Sequence, residues 1–183
     1  MKNTLAILFA LALGTTANAA TVSFGPASAG GSGPVVTFSD LVVPTAISGD
    51  AILTFTVNGD LNSSREYIDV SFDGISLGRV LNNNTTDDAF DFGNGDVGNQ
   101  SRSDLTGSAT ISQSDYETVA ADGLITLTFD TAANVDCCGT INTLLGSLTF
   151  ASAPVPAVPL PASSLLLLGG LAGFGALRAS KKS

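Results

Sequence analysis

Apolar and polar residues alternate in short runs through the middle of the chain. Leu53, Phe55 and Val57 fall on one side of an extended segment and Thr54 and Thr56 on the other, the period of two expected of a half-buried strand. Ile68, Val70 and Phe72 repeat it against Asp69, Ser71 and Asp73, and Ile125, Leu127 and Phe129 repeat it against Thr126 and Thr128. Residues 35–43, 75–81, 109–112 and 144–150 are further strand candidates. Asn58-Gly59, Asp73-Gly74 and Asp122-Gly123 punctuate these runs. Such dipeptides tolerate positive φ and predict tight turns, with Asp73-Gly74 closing a hairpin. Residues 114–121 break the alternation and predict one helical turn, capped by Ser114 with Glu117 three residues on. Seven or eight short strands bounded by turns predict an all-β domain over residues 20–152, a single antiparallel β-sandwich of jelly-roll type.

The two ends follow other patterns. Lys2, an apolar run over residues 5–13 and the small-x-small triplet Ala17-Asn18-Ala19 have the layout of a secretory signal peptide over residues 1–19, cleaved after Ala19. A buried helix or an anchor is the alternative, but the run is well short of the ~20 residues that span a bilayer. At the other end, prolines at 154, 156, 159 and 161 make residues 153–162 an extended linker. Residues 163–177 are apolar and glycine-punctuated, and Arg178, Lys181 and Lys182 follow within a basic tail over residues 178–183. Counted from Ala162 the apolar segment would reach about 24 Å as a helix, against a hydrocarbon core of about 30 Å. It therefore inserts with local thinning or snorkelling. Under the positive-inside bias the basic residues stay cytoplasmic and the sandwich lies outside.

Val158-Pro159-Leu160-Pro161-Ala162, a short hydrophobic helix and a basic end, in that order, resemble the PEP-CTERM sorting signal in its VPLPA variant. Leu160 stands where the commoner form has Glu. The resemblance implies recognition by an exosortase, a membrane-embedded cysteine transpeptidase-like enzyme, cleavage near the proline motif, and a place at the cell surface or in exopolysaccharide. An uncleaved C-terminal anchor is the alternative. Within the domain, Gly59-Asp60-Leu61, Glu66-Tyr67-Ile68-Asp69-Val70 and Asp73-Gly74, with Tyr116 and Asp122-Gly123-Leu124-Ile125 later, resemble β-sandwich modules of bacterial secreted proteins. That second likeness implies a fold and no functional residue.

Charge sharpens this picture. The net charge is −9, yet of the seven basic residues only Arg65, Arg79 and Arg102 lie in the domain, which holds all sixteen acids and so carries a formal −13. Such a surface repels phosphate backbones and excludes nucleic acid as a partner. The expected partners are signal peptidase, exosortase, the membrane through the tail before processing, and extracellular polysaccharide.

Candidate chemistry is sparse. With no histidine in the chain, neither a histidine-based metal site nor a histidine-activated nucleophile can be built. Cys137-Cys138 is the only cysteine pair. In an oxidising compartment a vicinal disulfide, free buried thiols and a bridge to another chain all stay open. Asp87, Asp88, Asp91 and Asp96 offer oxygen ligands to Ca2+, although their spacing matches neither an EF-hand nor a glycine-rich nonapeptide repeat, and a solvated loop is the simpler reading. Asp130 and Asp136 form a second candidate. The sequons at Asn62, Asn84 and Asn99 are read as chance. Glu66, Glu117 and the fourteen Asp leave paired-carboxylate hydrolysis open, but two Tyr and no Trp offer little platform for sugar. The sequence thus predicts a non-enzymatic surface or matrix protein without a resident cofactor. A Ca2+-dependent carbohydrate-binding module and a secreted glycan hydrolase are the alternatives.

Overall fold

Alternation is most regular in β3 (Ala51–Gly59), where Leu53, Phe55 and Val57 are fully buried and the residues between them face outward. In the computed structural model, which describes residues 19–93, 96, 104–136 and 140–151, β3 is the middle strand of a five-stranded antiparallel sheet. Its neighbours are β9 (Ile141–Ala151) and β7 (Leu105–Ile111), with β1 (Ala19–Ala29) outside β9 and the two-residue β6 (Phe90–Asp91) outside β7. A second sheet runs β2 (Val35–Val42), β8 (Leu124–Thr131), β4 (Ile68–Phe72), β5 (Ile75–Val80). The fold is an all-β sandwich.

The strands pair in nested fashion: β1 with β9, β2 with β8, β3 with β7, and β4 with β5. This is one long antiparallel hairpin folded over on itself, the jelly-roll wiring. Asp73 (φ 48°) and Gly74 (φ 87°) form its innermost turn, as the sequence predicts, because the type that closes a two-residue hairpin needs positive φ at both positions. The two sheets meet through phenylalanines. Phe55 lies edge-on to Phe129 at 5.2 Å, and Phe24 and Phe38 pack at 4.9 Å on the same cluster. Burying each such ring stabilises the fold by roughly 1.5–3 kcal/mol.

One strand was not expected, and three sequence expectations need correction. Residues 19–29 form a strand that the alternation does not announce, since its inward positions include Ala20, Ala27 and Ala29, small side chains that pack on the core with little apolar contrast. The strand predicted at 109–112 begins at Leu105; Gly107 interrupts its pattern because the Phe92 ring lies where a Cβ would stand. Asn58-Gly59 is no turn but the end of β3, where the register against β9 shifts. The helix α1 spans Gln113–Val119 and is capped by Ser112, whose Oγ accepts from the Asp115 N–H at 3.2 Å, because β7 ends at Ile111 and leaves Ser112 in the cap position.

Registers fix which loops share an end. Ala19 pairs with Ala151, Ala51 with Ile111 and Val42 with Leu124, so the first and last strands begin and finish beside α1 and the 43–50 connection. Tyr116 of α1 is fully buried there between Phe72 of one sheet and Phe150 of the other. Among the described residues, the connections 30–34, 60–67 and 132–136 lie at the opposite end, where the segment that leaves β5 at Leu81 also begins.

Candidate functional site

The loop that leaves β5 is folded around a buried carboxylate. Leu81 (φ 66°) and Asn83 (φ 67°) take left-handed conformations that cost non-glycine residues energy. Asp96 holds them: its carboxylate accepts from the N–H of Leu81 and, at 3.1 Å, from that of Asn82, while its carbonyl accepts from the Asn83 N–H at 2.9 Å. Only 3% of Asp96 is exposed.

Next along the loop, Asp87 is exposed and accepts from Asn82 Nδ2 at 2.7 Å. Asp88 bridges to Gly78 of β5, where the absence of a Cβ lets the 87–88 backbone approach the strand. Its Oδ1 accepts from the Phe90 N–H at 2.6 Å, and its Oδ2 is buried without a hydrogen-bond partner. One oxygen from each of Asp87, Asp88 and Asp96 lies within 4.8 Å of the others.

Electrostatics follow from that crowding. Burial pushes the Asp88 carboxyl above the usual carboxylate range; the Phe90 N–H pulls it back, and the charges of Asp96 and Asp87 push it further up. Burial likewise raises Asp96, against the N–H groups of Leu81, Asn82 and Asn84 and with the Asp87 charge. Arg79 is near enough to feel Asp87, but its bonds go elsewhere. Its Nε and Nη2 donate to the two Asp69 oxygens at 2.9 and 3.0 Å, and its guanidinium stacks 3.6 Å above the Tyr67 ring. Beside the carboxylates opens a cleft of about 350 Å3, lined by Ser76, Gly78, Thr86, Asp87, Asp88 and Ala89.

Of the four loop aspartates singled out in the sequence, three converge. Asp91 does not; it sits on β6 opposite Ser108, and its Oδ1 accepts from the Gly93 N–H at 2.7 Å. Asp130 and Asp136 stay exposed and apart from the cluster. Glu66 and Glu117 lie at opposite ends of the sandwich, the first accepting from the Asn62 N–H at 2.6 Å and the second from the Ile47 N–H at 3.2 Å. Both carboxylates are engaged in holding loops.

Asn62 and Asn84 are exposed loop residues. Asn99, Cys137, Cys138, Ala17, the helix expected over residues 163–177, Val158, Pro159, Leu160, Pro161, Ala162, Arg178, Lys181 and Lys182 lie outside the described residues. Among the described residues no helix is long and apolar enough to cross a membrane.

The Asp69–Arg79–Tyr67 group went unmarked in the sequence for a geometric reason. A two-residue turn at 73–74 pairs Phe72 with Ile75 and, carried on without interruption, pairs Asp69 with Gly78. A one-residue register shift between Val70 and Ser71 sets Asp69 opposite Arg79 instead. No protein-family model, curated protein or solved structure matches the chain.

Proposed function

We propose that this chain is exported, processed by an exosortase, and held at the cell surface or in the exopolysaccharide matrix, where its sandwich has a structural, adhesive role without turnover. The observation that carries the reading is the order of features at the C-terminal end: Val158-Pro159-Leu160-Pro161-Ala162, an apolar segment over 163–177, then Arg178, Lys181 and Lys182. A protease needs extended backbone to grip, and the proline-spaced linker supplies it outside the apolar segment. The linker's ten residues span about 30 Å when extended, enough to hold a small domain clear of a bilayer.

The geometry of the sandwich accords with display. Ala19 and Ala151, the first and last residues of the two terminal strands, are register partners, so both ends of the sandwich's chain lie together at one end of the sheet. The separation of Glu66 from Glu117, each occupied with a loop N–H, supports a role without hydrolysis by that pair.

Mass spectrometry of the mature C-terminus tests the reading. Wild type is expected to end near the proline motif. Replacement of Val158-Pro159-Leu160-Pro161 by a Gly/Ser stretch should leave export intact and keep the tail. A wild-type protein that still carries Lys182 would overturn it.

A further inference from the structure

We propose that Asn84 accepts one N-linked glycan from a donor whose anomeric carbon carries a diphosphate leaving group. Neither the adhesive role nor the processing of the tail enters the argument. In the sequence alone, Asn62-Ser63-Ser64 and Asn84-Thr85-Thr86 are equivalent sequons of a kind that a chain rich in Asn, Ser and Thr supplies by chance. The fold makes them unequal.

Asn84, Thr85 and Thr86 are all exposed on the loop that leaves β5. The Asn84 Oδ1 accepts twice from Thr86, from its hydroxyl at 2.8 Å and from its backbone N–H at 3.3 Å. A backbone N–H only donates, so the atom facing it is the carboxamide oxygen and the other arm is Nδ2. Among the described residues Asn84 Nδ2 has no hydrogen-bond partner. The backbone beneath it is held in place, because the Asn84 N–H donates to the Asn82 Oδ1 at 2.8 Å and Asn82 in turn is bound by Asp96.

Asn62 is exposed as well, but its nitrogen is occupied. Its Nδ2 donates to the Asp60 Oδ1 at 2.7 Å, and Asp60 is buried. Transfer to Asn62 would first break a hydrogen bond to a charged group, at a cost of about 1.5–3 kcal/mol. It would also leave a buried carboxylate short of a donor.

A carboxamide nitrogen is a poor nucleophile because its lone pair is shared with the carbonyl. Two donors on Oδ1 draw charge onto the oxygen and make the Nδ2 protons more acidic, so a base removes one more readily as the new bond forms. Nδ2 then bonds to the anomeric carbon, and the bond from that carbon to the diphosphate oxygen breaks. The diphosphate leaves with the electron pair, and the proton passes to a base of the glycosyltransferase. A lipid diphosphate carrying an oligosaccharide and a nucleoside diphosphate carrying a single sugar offer this same chemistry. Either product adds hydrophilic bulk to the exposed loop.

Peptide mapping by mass spectrometry of the protein isolated from the cells that make it tests the site, with electron-transfer fragmentation to localise the added mass. Wild type should carry a glycan on Asn84 and none on Asn62. An oligosaccharide mass would identify the lipid-linked donor and a single sugar the nucleotide-linked one. Asn84→Gln and Thr86→Ala should each lose the glycan, Thr86→Ser should keep it, and Asn62→Gln should match wild type.

An unmodified Asn84 in the wild type would overturn the proposal. A glycan on Asn62 would overturn the contrast between the two sequons, and a glycan that persists on Asn84 in Thr86→Ala would overturn the role given to the hydroxyl. Should a variant fail to accumulate, the wild-type map decides alone. The same digest reads both ends of the chain, so a failure at Asn84 is distinguished from a failure of the export reading.

Discussion

The sandwich is closed differently at its two ends. Beside the first and last strands, Tyr116 stands between Phe72 and Phe150, ring centroids 6.3 and 5.7 Å away, and its hydroxyl donates to the Pro44 carbonyl at 2.9 Å. The helix that carries Tyr116 adds a capped start at Ser112 and a Gln113 side chain that donates to the Ile47 carbonyl. At the other end Leu61 and Val135 are buried, but the loops above them are joined mainly through backbone polar groups: Asp60 N–H to the Thr140 carbonyl at 2.7 Å, Ala132 N–H to the Tyr67 carbonyl at 2.9 Å, Gly33 N–H to the Val135 carbonyl at 3.2 Å. There the acidic loop gathers carboxylates with no ring between them. One end is sealed by packed rings, and the described loops of the other gather carboxylates.

That contrast can be broken most forcefully at Tyr116. Tyr116→Ala removes the ring that touches both sheets and leaves a cavity, and is expected to lower unfolding stability by about 3–5 kcal/mol in urea titration. A loss under about 1 kcal/mol would mean that the ring does not seal the end.

The matching change at the loop end should cost less. A Cβ on Gly78 (φ 101°) would overlap the Asp87 carbonyl and the Asp88 Cα, so Gly78→Ala should displace the 87–88 segment and destabilise by about 1–3 kcal/mol.

The smallest effect sharpens the role of one hydroxyl. Tyr116→Phe keeps the ring and deletes the bond to Pro44, a loss of about 1 kcal/mol at neutral pH. Burial pushes the Tyr116 phenol up to about 12 from its ordinary 10.0. The folded chain therefore holds that proton more tightly than the unfolded chain. Its stabilising contribution is complete below pH 10 and is lost as pH rises through 12. Wild type should weaken between pH 10 and 12 more steeply than Tyr116→Phe, and parallel urea melts at pH 8 and 11 would refute the assignment if their slopes agree.

Strand faces were legible from side-chain alternation, because the pleat alternates side chains whatever the partner strand is. The buried faces of β3, β4 and β8 carry the alternating apolar residues Leu53, Phe55 and Val57, Ile68, Val70 and Phe72, and Ile125, Leu127 and Phe129, whereas Ile52 and Leu124 are apolar yet exposed. Asp73-Gly74 was legible as well, since its demand for positive φ is local. Less was legible where neighbours far along the chain decide. β1 escaped notice because its alanines offer little apolar contrast and pack on a core assembled from residues far along the chain, and Gly107 hid β7 because the reason for a glycine there is the Phe92 ring.

For the acidic loop, composition by itself determined that carboxylates would be abundant and bases scarce, and the patterns at the two ends determined the expectation of export. Which aspartates meet was decided only by the tertiary structure. Asp96 reaches Asp88 because the loop folds back on the end of β5, and Asp91 is withdrawn because β6 pairs with β7. Alternation and turn chemistry act over a few residues and can be read in order along the chain. The meeting of distant carboxylates depends on sheet register and loop closure, which arise only when the whole sandwich has folded.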